Sequence, residues 1–304
     1  MPMSNLKPWE KGIFLPDSEL KNLLGVQFPD LKIQSLRFLK DGWDSCAYEI
    51  NQNLIFRLPK RQEVSERLGA EISLLPILKQ KSEILVPEFM YLGTPSHIYP
   101  FQFVGYSKLI GVDQSKAKVR IDHEEIRRIA NFLQALHQID SSTMPDFPIE
   151  SGTAQETVKR HKQLITDWMP ILANEPRLAQ ACQKFLGSFD WDSLMAPYVP
   201  CVVHNDLLPE HILMQGTKIS AIIDWGDTIV GDPAIDYAGI GYSFGWDSMQ
   251  SCLKLAGRTE DTRLINRAYL AIVCAALSDL HYGQHKNDAI RIDFALDTLK
   301  SILI

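Results

Sequence analysis

Two aspartates placed directly after apolar runs constrain this chain more than any other feature. Asp206 stands in Val202-Val203-His204-Asn205-Asp206-Leu207-Leu208-Pro209-Glu210-His211-Ile212-Leu213, and Asp224 stands in Ala221-Ile222-Ile223-Asp224-Trp225-Gly226-Asp227, 18 positions further on. The interval between them fits two short strands joined by the polar turn Gln215-Gly216-Thr217-Lys218. A hairpin of that kind brings Asp206, His211 and Asp224 to one end.

The chain on either side differs in character. Before residue 111 strand signals dominate. Alternation predicts strands over 33–40, 46–50, 54–58, 88–92 and 97–106, with Asn51-Gln52-Asn53 as a hairpin turn. Leu68, Ile72, Leu75 and Leu78 recur at helical spacing, so 63–80 is expected to form a helix that Pro76 kinks or shortens. After Gly111 the periodicity is helical. Asp122 and Glu125 form a candidate capping box ahead of Ile126, Ile129, Leu133 and Leu136. Further helices are expected over 153–172, 175–189, 247–256, 259–281 and 287–302. The expected architecture is therefore α+β: a small β-rich N-lobe over 1–106, a hinge at 107–111, and a larger, mostly helical C-lobe over 112–304.

Composition narrows the function. The 304 residues carry 31 Lys+Arg against 37 Asp+Glu, a net charge of −6, without the basic excess of a nucleic-acid binder. The longest apolar run, Tyr269 to Leu277, is too short to cross a bilayer, which takes about 20 residues. Residues 1–12 show no apolar stretch after their lysines, so no secretory signal is expected. Five scattered cysteines without C-x-x-C read as reduced thiols of a cytoplasmic protein. No G-x-x-x-x-G-K-[ST], H-E-x-x-H or G-x-S-x-G is present, which argues against P-loop kinases, zincins and α/β-hydrolases. His281 and His285 are four apart but lack a neighbouring third ligand, and read as surface residues.

Paired acids of this kind suit phosphoryl transfer. One carboxylate orients an attacking hydroxyl and takes its proton; a second, with a further ligand, holds a divalent ion on nucleotide phosphates. The protein-kinase pattern is H-R-D-x-x-x-x-N followed by D-F-G; here it reads His204-Asn205-Asp206, four residues, His211, then Asp224-Trp225-Gly226. On these motifs the chain resembles the aminoglycoside phosphotransferase family, which shares the bilobal protein-kinase-like fold. It looks most like the 2″-phosphotransferases, with some features of macrolide phosphotransferases, over roughly 42–237. The resemblance implies that Asp206 is the catalytic base, that His211 and Asp224 bind Mg2+, that His204 supports the loop and that Glu210 contacts substrate. Imidazole is an unusual partner for magnesium, so activity is expected to fall as His211 protonates below the ordinary value of about 6.5.

The same resemblance assigns the nucleotide side. Arg57, in Leu54-Ile55-Phe56-Arg57-Leu58-Pro59-Lys60, stands where the family places its phosphate cation, and Glu71 stands as its helix partner. The turn Asp41-Gly42-Trp43-Asp44-Ser45 matches the loop over the phosphates, with Ser45 as a contact. Ser107 and Leu109 lie in the segment that presents backbone groups to the purine of ATP or GTP. Asp232 reads as a helix cap and Asp236 as a tether of the catalytic loop.

The expected activity is transfer of the γ-phosphate of ATP or GTP to a hydroxyl of an aminoglycoside, by a monomer acting on a small molecule without nucleic acid or membrane partners. A macrolide kinase or small-metabolite kinase of the same fold is the alternative, and a non-catalytic nucleotide-binding protein a remote one. Residues 201–304 hold 13 acidic against 8 basic residues, which suits a cationic acceptor. The segment Gly241-Tyr242-Ser243-Phe244-Gly245-Trp246-Asp247 is aromatic and weakly acidic, which suits a larger apolar one.

Overall fold

In the computed structural model of the protein, residues 13–144, 147–150 and 153–304 are described. The 1–12 segment, where no secretory signal was expected, lies outside them. The chain divides into two compact units, one formed by residues 13–77 and 86–109, the other by 78–85 and 110–304.

The first unit is a five-stranded antiparallel sheet in the order β1-β2-β3-β5-β4. Its strands are β1 Leu36–Asp41, β2 Ser45–Ile50, β3 Leu54–Pro59, β4 Phe89–Gly93 and β5 Phe103–Ser107. The β2–β3 hairpin turns at the expected place, through the three residues between the paired Ile50 and Leu54: Asn51 and Gln52 take φ of 53° and 64°, the double positive φ of a type I′ turn. Alternate residues Tyr48, Ile50, Phe56 and Leu58 enter the core. Helix α1, Asp17–Gln27, adds Leu20, Leu23 and Leu24 to the same core. The strand expected over 97–106 begins only at Phe103. Before it, Ser96 Oγ accepts the N–H groups of Ile98 and Tyr99, and the resulting turn buries Tyr99 completely.

Helix α2, Gln62–Lys81, continues through Pro76. Proline supplies no N–H, yet the helix is not shortened, and its last turn belongs to the second unit.

The second unit is mostly helical: α3 Gln114–Ala117, α4 His123–His137, α5 Ala154–Trp168, α6 Pro176–Gly187, α7 Trp191–Leu194, α8 Ala234–Phe244, α9 Trp246–Leu255, α10 Thr262–Lys286 and α11 Ala289–Leu303. Two small antiparallel sheets sit among them, β6-β8-β9 (Val112–Asp113, Ile212–Gln215, Lys218–Ile222) and β10-β7 (Ile229–Gly231, Cys201–Val203). Asp122 caps α4 by accepting the Glu125 N–H at 3.0 Å. The expected reciprocal bond is replaced, because Glu125 faces inward and takes the Ile219 N–H at 2.9 Å and the Arg128 guanidinium. That pairing fixes α4 against β9. No described helix is long and apolar enough to cross a membrane. All five cysteines are free thiols.

Candidate active site

The β8–β9 hairpin pairs Ile212 with Ile222 at its open end, and Ile223 extends the pairing by donating its N–H to the His211 carbonyl at 2.9 Å, so His211 and the next residue, Asp224, meet. Their Nε2 and Oδ2 atoms are 3.4 Å apart. His211 closes a 3₁₀ turn begun by Pro209, and its Nδ1–H donates to the Asp206 carbonyl at 2.8 Å. That bond fixes the tautomer and leaves Nε2 toward Asp224. The Asp206 carboxylate lies 3.3 Å from the other side of the ring. The three residues that the sequence placed at one end of a hairpin are therefore brought together.

Two of the residues that shape this end hold left-handed backbone: Asn205 at φ 67° and Asp224 at φ 63°. Such φ values are uncommon outside glycine and concentrate at functional sites. Asn205 is held by its Nδ2–H to the Asp227 carbonyl at 3.1 Å and by its backbone N–H to Asp236. Asp236 is fully buried and accepts three bonds, from the backbone N–H groups of His204 and Asn205 and from His137 Nε2 at 3.0 Å. It is thus the tether of the loop, and His137, an α4 residue unflagged in the sequence, completes it. His204 has both ring nitrogens occupied: Nε2–H donates to the Ile223 carbonyl at 3.1 Å and Nδ1 accepts the Asp206 N–H at 3.3 Å. Burial holds it down at about 4, neutral. Its contacts support the loop and leave no atom for chemistry. Asp232 accepts the Ala234 N–H at the start of α8 and is paired with Arg267.

Charge is unevenly shared among the acids. Burial pushes Asp206 up, and Asp227, Asp224 and Glu210 push the same way, against His211. Burial disfavours the charged ring of His211, but Asp206, Asp224 and Glu210 outweigh it and move its titration upward. The ordinary value of about 6.5 therefore does not apply to this imidazole in the metal-free chain. Of this pair the half-exposed Asp224 suits magnesium, which takes one or two carboxylates and completes its shell with water and phosphate oxygens; His211 Nε2, which points at Asp224, is the less usual nitrogen donor. No group of three His, Cys, Asp or Glu that could enclose an ion occurs among the described residues.

Glu210, expected at the substrate, is bonded to Arg291 of α11, and the same guanidinium bonds Asp279 of α10. Asp279 also accepts the Tyr242 hydroxyl at 2.7 Å. Of the aromatic segment expected as a substrate wall, Tyr242 alone lines the cavity beside Asp206; Trp246, half-buried, packs on Tyr269 instead. His281 stacks on Trp168 at 5.4 Å and does not join His285 in a metal site.

Within the first unit, Arg57 on β3 is paired with the buried Glu71 of α2, as the motif implies. Gly42 donates its N–H to the Ser45 carbonyl at 3.0 Å, and a Cβ at position 42 would stand 2.8 Å from that oxygen. The 41–45 turn is pinned further by Lys60 on Asp41 at 2.8 Å and by Arg61 and Arg67 on Asp44. These three cations went unnoticed in the sequence, although Lys60-Arg61 directly follows the Arg57 strand. Ser107 ends β5, and Lys108 bonds the β2–β3 turn through its N–H to the Asn53 carbonyl at 2.8 Å, next to Leu109.

A model described as the phosphotransferase enzyme family matches residues 35–271. The uncharacterised protein YcbJ of Bacillus subtilis (strain 168) is 27% identical over 190 residues, 60% of this chain and 60% of its own length. Viomycin phosphotransferase of Streptomyces vinaceus is 29% identical over 96 residues, 30% of this chain and 32% of its own. The GDP and kanamycin complex of APH(2″)-IIIa matches with a TM-score of 0.70 at 25% identity, covering 93% of this chain and 97% of that one. A macrolide 2′-phosphotransferase type I shares the fold, with a TM-score of 0.56 at 20% identity over 95% of this chain and 98% of that one.

Proposed function

The chain belongs to the phosphotransferase enzyme family, and from that premise we propose that it moves the γ-phosphate of ATP or GTP to a hydroxyl of an antibiotic-like small molecule. The observation that carries this reading is the meeting of Asp206, His211 and Asp224 at the open end of one hairpin, on a loop held by Asp236. Asp206 orients the acceptor hydroxyl and takes its proton as the oxygen attacks phosphorus. Its raised titration suits a proton acceptor working near neutral pH. Asp224 and His211 Nε2 would hold magnesium, which would draw charge from the phosphate oxygens. In the first unit, Arg57, oriented by Glu71, offers a forked permanent cation to the phosphates. The backbone of the 41–45 turn with Ser45, and the 107–109 backbone at Ser107 and Leu109, complete the nucleotide contacts.

An aminoglycoside is the acceptor suggested by the acidic last third and by the kanamycin complex of the similar APH(2″)-IIIa. A macrolide-like acceptor is favoured by a different observation, the pairing of Glu210 with Arg291. The test is nucleoside diphosphate release with ATP and with GTP across both acceptor classes. Acceptor-dependent release that disappears in Asp206→Asn supports the proposal. Equal release with and without every acceptor would sink it.

A further inference from the structure

Beside Asp206 the second unit holds a cavity of about 310 Å³, at the lower end of the volumes that small-ligand pockets occupy. Leu164, Leu207, Ile235, Ala271 and Ala275 give it an apolar wall of short side chains. Its two lining carboxylates are Asp206 and Asp279, and no lysine or arginine lines it.

Asp279 is not a free anion. Its Oδ1 takes Nη1 of Arg291 and its Oδ2 takes the Tyr242 hydroxyl at 2.7 Å. The Nη2 of the same Arg291 bonds Glu210 in the loop that carries Asp206. The guanidinium is held from a further side, with its central carbon 5.2 Å from the Tyr282 ring centroid. The pairs are mostly buried: 21% of the Arg291 side chain, 18% of Glu210 and 11% of Asp279 remain exposed. One forked cation therefore satisfies both acids that flank the base.

We propose that Arg291 sets acceptor selectivity: by bonding Glu210 and Asp279 together it withholds the carboxylates that a polyamine needs, so the cavity takes a hydroxyl-bearing ligand with an apolar face and no cluster of ammonium groups. A polycation could recruit Glu210 and Asp279 only by breaking two mostly buried charge-assisted pairs with a guanidinium of its own sign, which disfavours binding. A ligand with an apolar face and at most one amine meets the apolar wall and leaves the Arg291 pairs intact. This inference rests on Asp206 being the base of the phosphotransfer proposed above.

The experiment is calorimetric titration of kanamycin and of erythromycin, a macrolide with a single amine, into the full chain without nucleotide. Wild type and Arg291→Gln are compared. Wild type should bind erythromycin at least ~10-fold more tightly than kanamycin; Arg291→Gln should strengthen kanamycin binding by at least ~10-fold and leave erythromycin nearly unchanged. Arg291→Lys, which keeps the charge, should preserve the wild-type order. Kanamycin binding that Arg291→Gln fails to strengthen, whatever its absolute level, overturns the proposal. Should Arg291→Gln not fold, a wild-type preference for kanamycin overturns it equally. Because binding is read without nucleotide, loss of the phosphotransfer reading appears separately, as absent acceptor-dependent turnover.

Discussion

Asp236 Oδ1 accepts the backbone N–H of Asn205 at 3.1 Å, and Asn205 is the residue whose φ of 67° turns the chain into Asp206. The tether and the unusual backbone are one device. A buried carboxylate receiving two consecutive N–H groups holds the loop in a conformation it would not keep unaided. Replacing Asp236 by Ala leaves the His204 and Asn205 donors buried without an acceptor. The expected cost is about 2–4 kcal/mol of stability, read as a lower urea midpoint. Turnover should fall while nucleotide affinity stays near wild type.

Asp206→Asn should reduce turnover by roughly 10²–10⁴, the usual contribution of a general base. Nucleotide binding, measured by fluorescence titration, should be nearly unchanged. Turnover within a few-fold of wild type would remove Asp206 from the role assigned to it.

Asn205 offers a sharper test of the backbone. Alanine at φ 67° costs about 1–2 kcal/mol of left-handed strain, and it also loses the Nδ2–H bond to the Asp227 carbonyl. Glycine loses that bond without the strain. Asn205→Gly should therefore retain more thermal stability and more activity than Asn205→Ala, an order opposite to the one a helix or strand position would show.

Two histidines, His204 buried and His161 half-buried, predict a pH dependence of stability. Burial holds His161 and His204 down at about 4, against about 6.5 in an unfolded chain. Between those values the unfolded state binds the extra protons, so stability is present above the window and falls as pH drops through it. Unfolding near pH 5 should take up protons, and His161→Gln should reduce that uptake by about one. A stability profile equally steep in His161→Gln would show that His161 titrates normally.

At Gly42 the distance of 2.8 Å from a prospective Cβ to the Ser45 carbonyl leaves no room for a side chain. Gly42→Val should open the 41–45 turn and weaken ATP and GTP binding together. Far-UV circular dichroism should stay unchanged, because the sheet behind the turn keeps its pairing.

The sequence disclosed what is local. Turn residues at 51–53, apolar alternation in β2 and β3, and the 18-residue interval between Asp206 and Asp224 are all short-range patterns, and the structure places them together. Helix α1 is local too, since Leu20, Leu23 and Leu24 follow Pro16 at helical spacing. Strand β5 is shorter than its alternation predicts because Pro100 and the Ser96 turn break the pattern that runs on through Tyr99. Arg291 was invisible for a different reason. It lies 81 positions from Glu210 and meets it through the packing of α11, and no spacing rule encodes a contact of that range. The acidic excess after residue 201 looked like an attraction for cations, but the distribution of ion pairs decides how much of it a ligand meets.

The short stretch 78–85 groups with residues 110–304, and its Leu85 bridges Ala221 in parallel, donating to the Ser220 carbonyl and accepting the Ile222 N–H at 2.9 Å. It covers the flank of β9 that β8 does not. Cutting the gene at 107–111, the boundary read from the sequence, would give a helical fragment with an uncovered sheet edge next to Asp224, prone to self-association. A soluble helical fragment calls for residues 78–85 to be kept and joined ahead of residue 110, a design that excises 86–109 rather than a simple truncation.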